Sequence, residues 1–310
     1  MFLDFFHLRQ QPFGVTPDPE YLYLSPTHSE ALSALSSGVK DGRGFLTLIA
    51  DPGMGKTTLL YRLLEELRSF ARTVFLFQTQ CDTREFFQYL LTELGTDVQG
   101  LGLVDMHVKL NEILFTEMLA GKRFALVVDE AQNLGESLLE TIRLLSNFET
   151  PHSKLLQIIL SGQPQLEEHL AQPHLSQLRQ RIAVLSHLQP LSPEETSHYI
   201  EHRLTIAGYS GEPLFTPEAS ALVSKESRGV PRIINNICFE ALTLAHAKEQ
   251  PKIGPEIVQR ALANLGIHSN GRHSPTTVAQ STPPRCPPCQ CPIHNPAGAT
   301  RKAVPDSSFD

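Results

Sequence analysis

Residue types that bind phosphate groups occur together in one short stretch, Ala50-Asp51-Pro52-Gly53-Met54-Gly55-Lys56-Thr57-Thr58. In loops of this kind, backbone N–H groups and the N-terminus of the following helix bind phosphate oxygens, and glycine lets the backbone approach them closely. Lys56 is predicted to reach the β- and γ-phosphates, and the Thr57 hydroxyl to bind Mg²⁺. Ala50 stands where the usual pattern begins with glycine. Because this position only starts the turn, alanine fits there at little cost if its φ is negative.

Two carboxylates, Asp129 and Glu130, directly follow the apolar run 124–128. Such a run predicts a buried strand, and ligands of open α/β sheets bind at the carboxyl ends of the strands. We therefore expect both carboxylates beside the phosphate loop. Asp129 is predicted to hold Mg²⁺ through water, and Glu130 to orient and deprotonate an attacking water molecule.

Other polar residues stand where they could complete this site. Gln163 follows the next apolar run and is the candidate for contact with the γ-phosphate or the water; Ser161 is a weaker one. Arg179 or Arg181 could project into a neighbouring molecule's site and stabilise the charge of phosphoryl transfer. Arg232 lies in the first turn of a predicted helix, where a cation opposes the helix dipole, and a phosphate partner would explain its placement.

The elements that must position these residues follow from the apolar pattern. Amphipathic stretches separate short apolar runs, which predicts a parallel sheet with helices on both faces. The runs are 45–49, 73–77, 124–128, 155–160 and 183–185. After residue 188 the strand signal ends, and helices are predicted to start at Pro193, Pro217, Pro231 and Pro255.

This pattern divides the chain into three predicted parts. Residues 1–188 form an α/β core that includes an N-terminal segment, and residues 189–267 form a small all-helical domain. Residues 268–310 are rich in Pro, Ser and Thr and are predicted to be disordered, because they cannot bury enough apolar surface to offset their ordering entropy. Cysteines and a histidine in this tail (286, 289, 291 and 294) could bind zinc, but chance occurrence in a low-complexity tail is the favoured interpretation.

The composition limits the classes of partner. The 310 residues carry a formal net charge of −7, which counts against an extended nucleic-acid or membrane surface. No apolar run approaches the roughly 18 residues that span a bilayer, and the N-terminus lacks the pattern of a signal peptide. We expect a cytoplasmic protein that reaches the inner membrane, if at all, peripherally through a partner.

With these residues assembled, the sequence resembles the AAA+ ATPases, and within them the general secretion pathway protein A group, near the TniB transposition ATPases. The motifs that carry the resemblance are ADPGMGKTTLL (50–60), LVVDEAQNL (126–134), LLQIILSGQPQL (155–166), LRQRI (178–182) and GVPRIINNIC (229–238). Thr16-Pro17-Asp18-Pro19 near the N-terminus also matches.

The resemblance implies an AAA+ P-loop core with a five-stranded parallel sheet in the order 5-1-4-3-2, and a helical lid. It implies that ATP and Mg²⁺ bind where core and lid meet, and that nucleotide drives self-association into an oligomer. It assigns Arg232 as the lid arginine, Gln163 as the sensor after the fourth strand, and Arg179 or Arg181 as the arginine supplied in trans. The segment from Phe13 to Pro26 would line the adenine side.

Three functions remain open at this stage. The favoured one is an ATP-hydrolysing switch or motor that acts on an unidentified protein partner of a secretion, envelope or polysaccharide-export system. The alternative is a DNA-dependent ATPase of the transposition type, with DNA the less favoured partner because the chain is acidic. The third is a nucleotide-gated binding module that hydrolyses little, against which Glu130 argues.

Overall fold

The computed structural model describes residues 2–77, 80–151 and 153–267. The disordered tail predicted for 268–310, and the zinc candidates within it, lie outside these residues.

Five parallel strands form the sheet of the described residues: β1 Phe45–Ile49, β2 Ala71–Leu76, β3 Arg123–Val128, β4 Leu156–Gly162 and β5 Ile182–His187. Their spatial order is β2-β3-β4-β1-β5, which is the predicted order 5-1-4-3-2. Every residue of β1 is buried, since parallel strands covered on both faces carry continuous apolar runs. A short antiparallel hairpin, Glu149–Thr150 with Ser153–Lys154, precedes β4.

Helices cover both faces of this sheet, as the alternating pattern predicts. The helices up to β5 are α1 Phe2–Phe5, α2 Pro26–Lys40, α3 Lys56–Leu67, α4 Thr83–Glu93, α5 Leu103–Leu119, α6 Glu136–Leu145, α7 Pro164–Leu170 and α8 Ser176–Arg179. One apolar cluster joins α2 and α3 to one face through residues such as Leu35 and Leu59. A second cluster joins α4 to α8 to the other face, with Phe86 and Leu110 fully buried.

Four further helices form a bundle after β5: α9 Pro193–Ile206, α10 Pro217–Ser227, α11 Pro231–Ala247 and α12 Pro255–Asn264. All four have proline in the first turn, at the predicted starts. Ser192 and Glu195 form a reciprocal capping box at the start of α9, which satisfies two N–H groups that the helix leaves unpaired. This bundle has its own apolar cluster, which includes Ile237 and Leu242.

The N-terminal segment packs on the helical bundle. The sequence pattern predicts it as part of the α/β core, and in the structure Phe6, Leu8, Phe13 and Tyr21 are buried in the apolar cluster of the bundle. The backbone N–H of Arg9 also donates to a carbonyl at the end of α9. The segment therefore passes from the bundle to α2 on the sheet and connects the two parts. The described residues from 2 to 267 belong to one compact unit.

Candidate nucleotide site

The phosphate loop connects β1 to α3, as its sequence context requires. Gly53 and Gly55 have φ values of 83° and 90°, a region in which side chains with a Cβ are strained. Ala50, by contrast, does not have a positive φ; its methyl group is buried, and its N–H donates to the Gly162 carbonyl at 3.1 Å. Alanine in place of the first glycine therefore fits this loop without backbone strain.

Lys56 is the first residue of α3 and is only 5% exposed. Its Nζ donates to the carbonyl oxygens of Ala50 and Asp51, at 2.8 and 3.2 Å. Burial lowers the pKa of Lys56 below its ordinary value, while the carboxylates of Glu130 and Asp129 act in the opposite direction. Carbonyl groups of the loop thus hold the ammonium group close to the N-terminus of α3.

Asp129 lies at the end of β3 and organises the floor of the site. Its Oδ2 accepts from the Thr57 hydroxyl at 2.6 Å, and its Oδ1 accepts from the Ser161 hydroxyl at 2.9 Å and from the Glu130 N–H at 3.0 Å. Ser161, the weaker candidate for contact with phosphate, is therefore bound to this carboxylate instead. A hydroxyl and a carboxylate oxygen side by side are the donor types that Mg²⁺ prefers, so Thr57 and Asp129 fit the ion.

Glu130 has a left-handed backbone, with φ 51° and ψ 39°, which is uncommon for a residue with a Cβ. Its Oε2 accepts from the side-chain amides of Gln132 at 2.5 Å and of Gln163 at 3.1 Å. Burial by itself would raise the pKa of Glu130, but these two hydrogen bonds and the cations Lys56 and Arg232 outweigh it, so the pKa lies below its usual value. Glu130 is therefore ionised at neutral pH, as a general base must be.

The helical bundle closes the other side of the loop. The N–H of Arg232, in the first turn of α11, donates to the Gly53 carbonyl at 3.1 Å. A Cβ on Gly53 would lie 2.8 Å from Cβ of Arg232. The side chain of Arg232 is exposed and lines the same cleft as Lys56. Glycine at position 53 thus permits direct contact between loop and bundle.

A single cleft receives most of the predicted residues. On the sheet side it is lined by Pro52, Gly53, Gly55, Lys56, Thr57, Thr58, Glu130 and Gln163. On the bundle side it is lined by Arg203, Pro231, Arg232 and Asn235. Ala50, Asp51 and Met54 belong to the loop but do not line the cleft, and Asp129 lies beneath it, bonded to Thr57.

Phe13 does not line this cleft, contrary to the expected contact with the base. It is 2% exposed, and its ring packs edge-on against Phe215 in the bundle, with centroids 6.2 Å apart. The residues that follow it, 14–18, line the cleft instead; we call them the strap. Phe13 is therefore a core residue of the bundle, and the residues that follow it face the cleft.

Arg203 of α9 and Asn235 of α11 hold the strap, and neither is predicted from the sequence. The buried guanidinium of Arg203 donates to the carbonyls of Pro12 at 2.5 Å and Gly14 at 3.4 Å, and to the Tyr199 hydroxyl at 3.0 Å. The amide of Asn235 donates to the same Gly14 carbonyl at 3.1 Å. The strap is therefore attached to the bundle. No local motif marks these residues, because their partners are backbone atoms far away in sequence.

A smaller cavity adjoins the cleft and shares Gly55, Thr58 and Pro231 with it. Tyr21, Tyr23 and Tyr199 contribute aromatic side chains to its wall. This cavity is the apolar neighbour of the phosphate loop and has the character of a site for a flat ring.

His28 is a further residue that the sequence analysis missed. It is buried on α2, and its Nε2 lies 3.0 Å from the Met54 carbonyl while its Nδ1 lies 2.7 Å from the Ser25 hydroxyl. The carbonyl can only accept, so Nε2 carries the proton and Nδ1 accepts from Ser25. Burial lowers the pKa of His28. Its contact with the carbonyl supports the phosphate loop from below.

Neither Arg179 nor Arg181 lines the cleft of its own chain. Arg179 is exposed at the end of α8. Nη1 of Arg181 instead donates to three acceptors near the end of α6: the Arg143 carbonyl, the Ser146 hydroxyl and the Asn147 side chain. The exposed Arg179 is the freer of the two to reach another molecule.

Two classes of feature are absent from the described ranges. Residues 2–77, 80–151 and 153–267 contain no group of three or more His, Cys, Asp or Glu side chains that could hold a metal ion. Across the same ranges no helix has the length and apolar character needed to cross a bilayer.

Comparison with known proteins agrees with the fold. Residues 39–170 match the family model for the AAA domain. The chain is 40% identical over 254 residues to General secretion pathway protein A of Aeromonas hydrophila, a match that covers 82% of this chain and 46% of that protein. The chain thus spans about half the length of this relative.

Solved structures show the same architecture at low sequence identity. The ORC2 protein of Aeropyrum pernix superposes with a TM-score of 0.63 at 14% identity, covering 82% of this chain and 71% of that one. The RuvB Holliday junction branch migration motor of Thermotoga maritima gives 0.55 at 18% identity, covering 84% and 74%. Residues 39–170 therefore match an AAA domain, the described residues have the AAA+ ATPase fold, and over most of this chain the sequence is similar to General secretion pathway protein A.

Proposed function

We propose that this chain binds ATP with Mg²⁺ in the cleft between sheet and bundle and hydrolyses its terminal phosphoanhydride bond. One observation carries the proposal: Lys56, the Thr57–Asp129 pair, Glu130 and Arg232 come from separate elements and meet around one cleft. A decayed or accidental phosphate loop would have no reason to keep two carboxylates nearby at the carboxyl end of β3, which β4 separates from β1.

Each residue has a role that its chemistry supports. The loop N–H groups and Lys56 bind the phosphates, and Thr57 with Asp129 would hold Mg²⁺, which neutralises charge on the phosphate oxygens. Glu130 accepts a proton from the attacking water, and Gln163 orients water or the γ-phosphate. Arg232 contacts the phosphates from the bundle side and so couples the position of the bundle to nucleotide binding. The base occupies the aromatic cavity beside the loop.

Self-association belongs to the same proposal. A second copy of the chain supplies an arginine to the cleft. Arg179 fills this role, or Arg181 does so if its hydrogen bonds to the end of α6 break. Binding of ATP then favours the oligomer, and hydrolysis resets it.

The partner class is drawn from sequence similarity. General secretion pathway protein A is the relative that matches at 40% identity, so we propose that the switch acts on a protein of a secretion or envelope system. In that setting the chain works in the cytoplasm, brought to the inner membrane through its partner. The alternative is a DNA-dependent ATPase. The fold of this chain is compatible with it, because a branch migration motor has the same fold.

Steady-state ATP hydrolysis tests the proposal, measured with and without duplex DNA at low salt. Lys56→Ala serves as the blank, and Glu130→Gln should bind ATP like wild type but turn over at least about 100-fold more slowly. Equal turnover in wild type and Glu130→Gln would refute the catalytic assignment. Strong stimulation by DNA that falls steeply with salt would favour the alternative, because phosphate contacts release counterions.

A further inference from the structure

Gln132 is part of the Glu130 network, although no part of the proposed mechanism uses it. It follows Glu130 by two residues, within the 3₁₀ turn Ala131–Asn133. Its amide nitrogen donates to Oε2 of Glu130 at 2.5 Å, while its amide oxygen accepts from the Gln163 N–H at 3.1 Å. One side chain thus bridges the end of β3 and the residue that follows β4.

We propose that Gln132 is a positioning residue that fixes the general base Glu130 in its working orientation. The inference rests on the proposed function, since it assigns a role within the same reaction. Gln132 acts through Glu130 and is not expected to touch the nucleotide, because it does not line the cleft.

The two carboxylate oxygens of Glu130 have different surroundings. Oε2 receives both amide donors, from Gln132 and Gln163. No hydrogen bond within the described residues reaches Oε1, while Glu130 itself lines the cleft. Anchoring one oxygen leaves the other with lone pairs to accept the proton of an attacking water. A glutamate has three side-chain torsions, and loss of the Gln132 donor would leave the Gln163 amide alone to restrict them among the described residues.

The space around Gln132 is built for this contact. A Cβ on Gly162 would lie 2.8 Å from the Gln132 amide oxygen and 2.8 Å from Cδ2 of Leu166, so glycine at position 162 leaves room for both side chains. Glycine there is not required by a positive φ. The left-handed backbone of Glu130 is also what brings Gln132 back toward the carboxylate across a single turn. Two residues, Gly162 and Glu130, therefore have a size or a conformation that fits the bridge.

The alternative is that Gln132 only ties β3 to β4. Two isosteric variants separate the roles. Gln132→Glu keeps the shape and can still accept from the Gln163 N–H, but it cannot donate to Glu130 when ionised. Gln132→Met keeps the volume and removes both hydrogen bonds. Gln259→Ala, an exposed glutamine on α12, is the matched control.

The experiment measures kcat, KM for ATP, binding of ATP with Mg²⁺ and the thermal midpoint for each variant. We expect kcat to fall about tenfold or more in both Gln132 variants, with KM, affinity and midpoint within about twofold or a few degrees of wild type. In the Glu130→Gln background, Gln132→Met should cause no further loss in single-turnover rate, because its target is gone.

The other outcomes overturn the inference in distinguishable ways. Wild-type kcat in Gln132→Met and Gln132→Glu would show that the base needs no anchor, while the proposed ATPase stands. A raised KM or a lowered midpoint at unchanged kcat would assign Gln132 a structural role. Absence of hydrolysis by the wild-type chain under all conditions would overturn the proposed function and this inference together.

Discussion

Ala50 provides a quantitative test of the phosphate loop, because the usual glycine can be restored there. Ala50→Gly removes the methyl group of a residue that is only 3% exposed and belongs to the apolar cluster formed with α2 and α3. The lost burial costs about 0.8 kcal/mol. Since Ala50 does not have a positive φ, glycine gains no native strain relief and adds about 0.4–1 kcal/mol of unfolded-state entropy. We therefore expect the free energy of unfolding to fall by about 1.5 kcal/mol.

Urea unfolding measures the change in stability, provided that the dependence of the unfolding free energy on urea concentration is the same in both proteins. ATP titration measures the effect on binding. The midpoint should move to lower urea, and ATP affinity should stay within about twofold of wild type, because Ala50 does not line the cleft. Gly53→Ala is the contrasting variant: its φ of 83° costs about 1–2 kcal/mol for a residue with a Cβ, and the added atom meets Arg232 at 2.8 Å. It should weaken ATP binding at least about tenfold.

Equal or greater stability of Ala50→Gly would refute the reasoning. So would a clear gain in ATP affinity, since either result would mean that alanine strains the loop. Gly53→Ala with wild-type affinity would show that contact between loop and bundle is not needed for binding.

Three further predictions concern stability, the metal and pH. Arg203→Met should lower the free energy of unfolding by about 3 kcal/mol in urea titrations and weaken ATP binding, because buried carbonyls lose a charged donor. Arg260→Met, at an exposed position, should do neither. Equal effects of the two substitutions would contradict the role of Arg203 in holding the strap. Thr57→Val should lower ATP turnover at least about tenfold and raise the Mg²⁺ concentration for half-maximal rate, and an unchanged Mg²⁺ dependence would contradict the metal assignment. Burial lowers the pKa of His28 in the folded chain, so the unfolded chain binds a proton there more readily below about pH 6.5, and stability falls in that range. In His28→Gln the amide can still donate to Met54, and urea titrations should lose that part of the pH dependence of stability. An unchanged dependence of stability on pH would show that His28 does not cause it.

The elements could be predicted from the sequence because they depend on local information. The five apolar runs became β1 to β5 with ends that moved by a few residues, as β2 shows: predicted over 73–77, it spans Ala71–Leu76. The four bundle helices start where proline follows a capping or turn residue, since caps and proline act within one turn. The strand order followed from the family resemblance, and the register pairs confirm it.

The phosphate loop and the acidic pair can be recognised from the amino-acid sequence, because each lies within a short stretch at one strand end. The residues that hold these groups in place could be identified only from long-range packing. Arg203 bonds Pro12 and Gly14 across about 190 positions of chain, and His28 reaches Met54 from another helix. The tertiary fold also put Phe13 in the bundle core, because apolar residue type fits both a core and a ligand site, and only long-range packing separates the two.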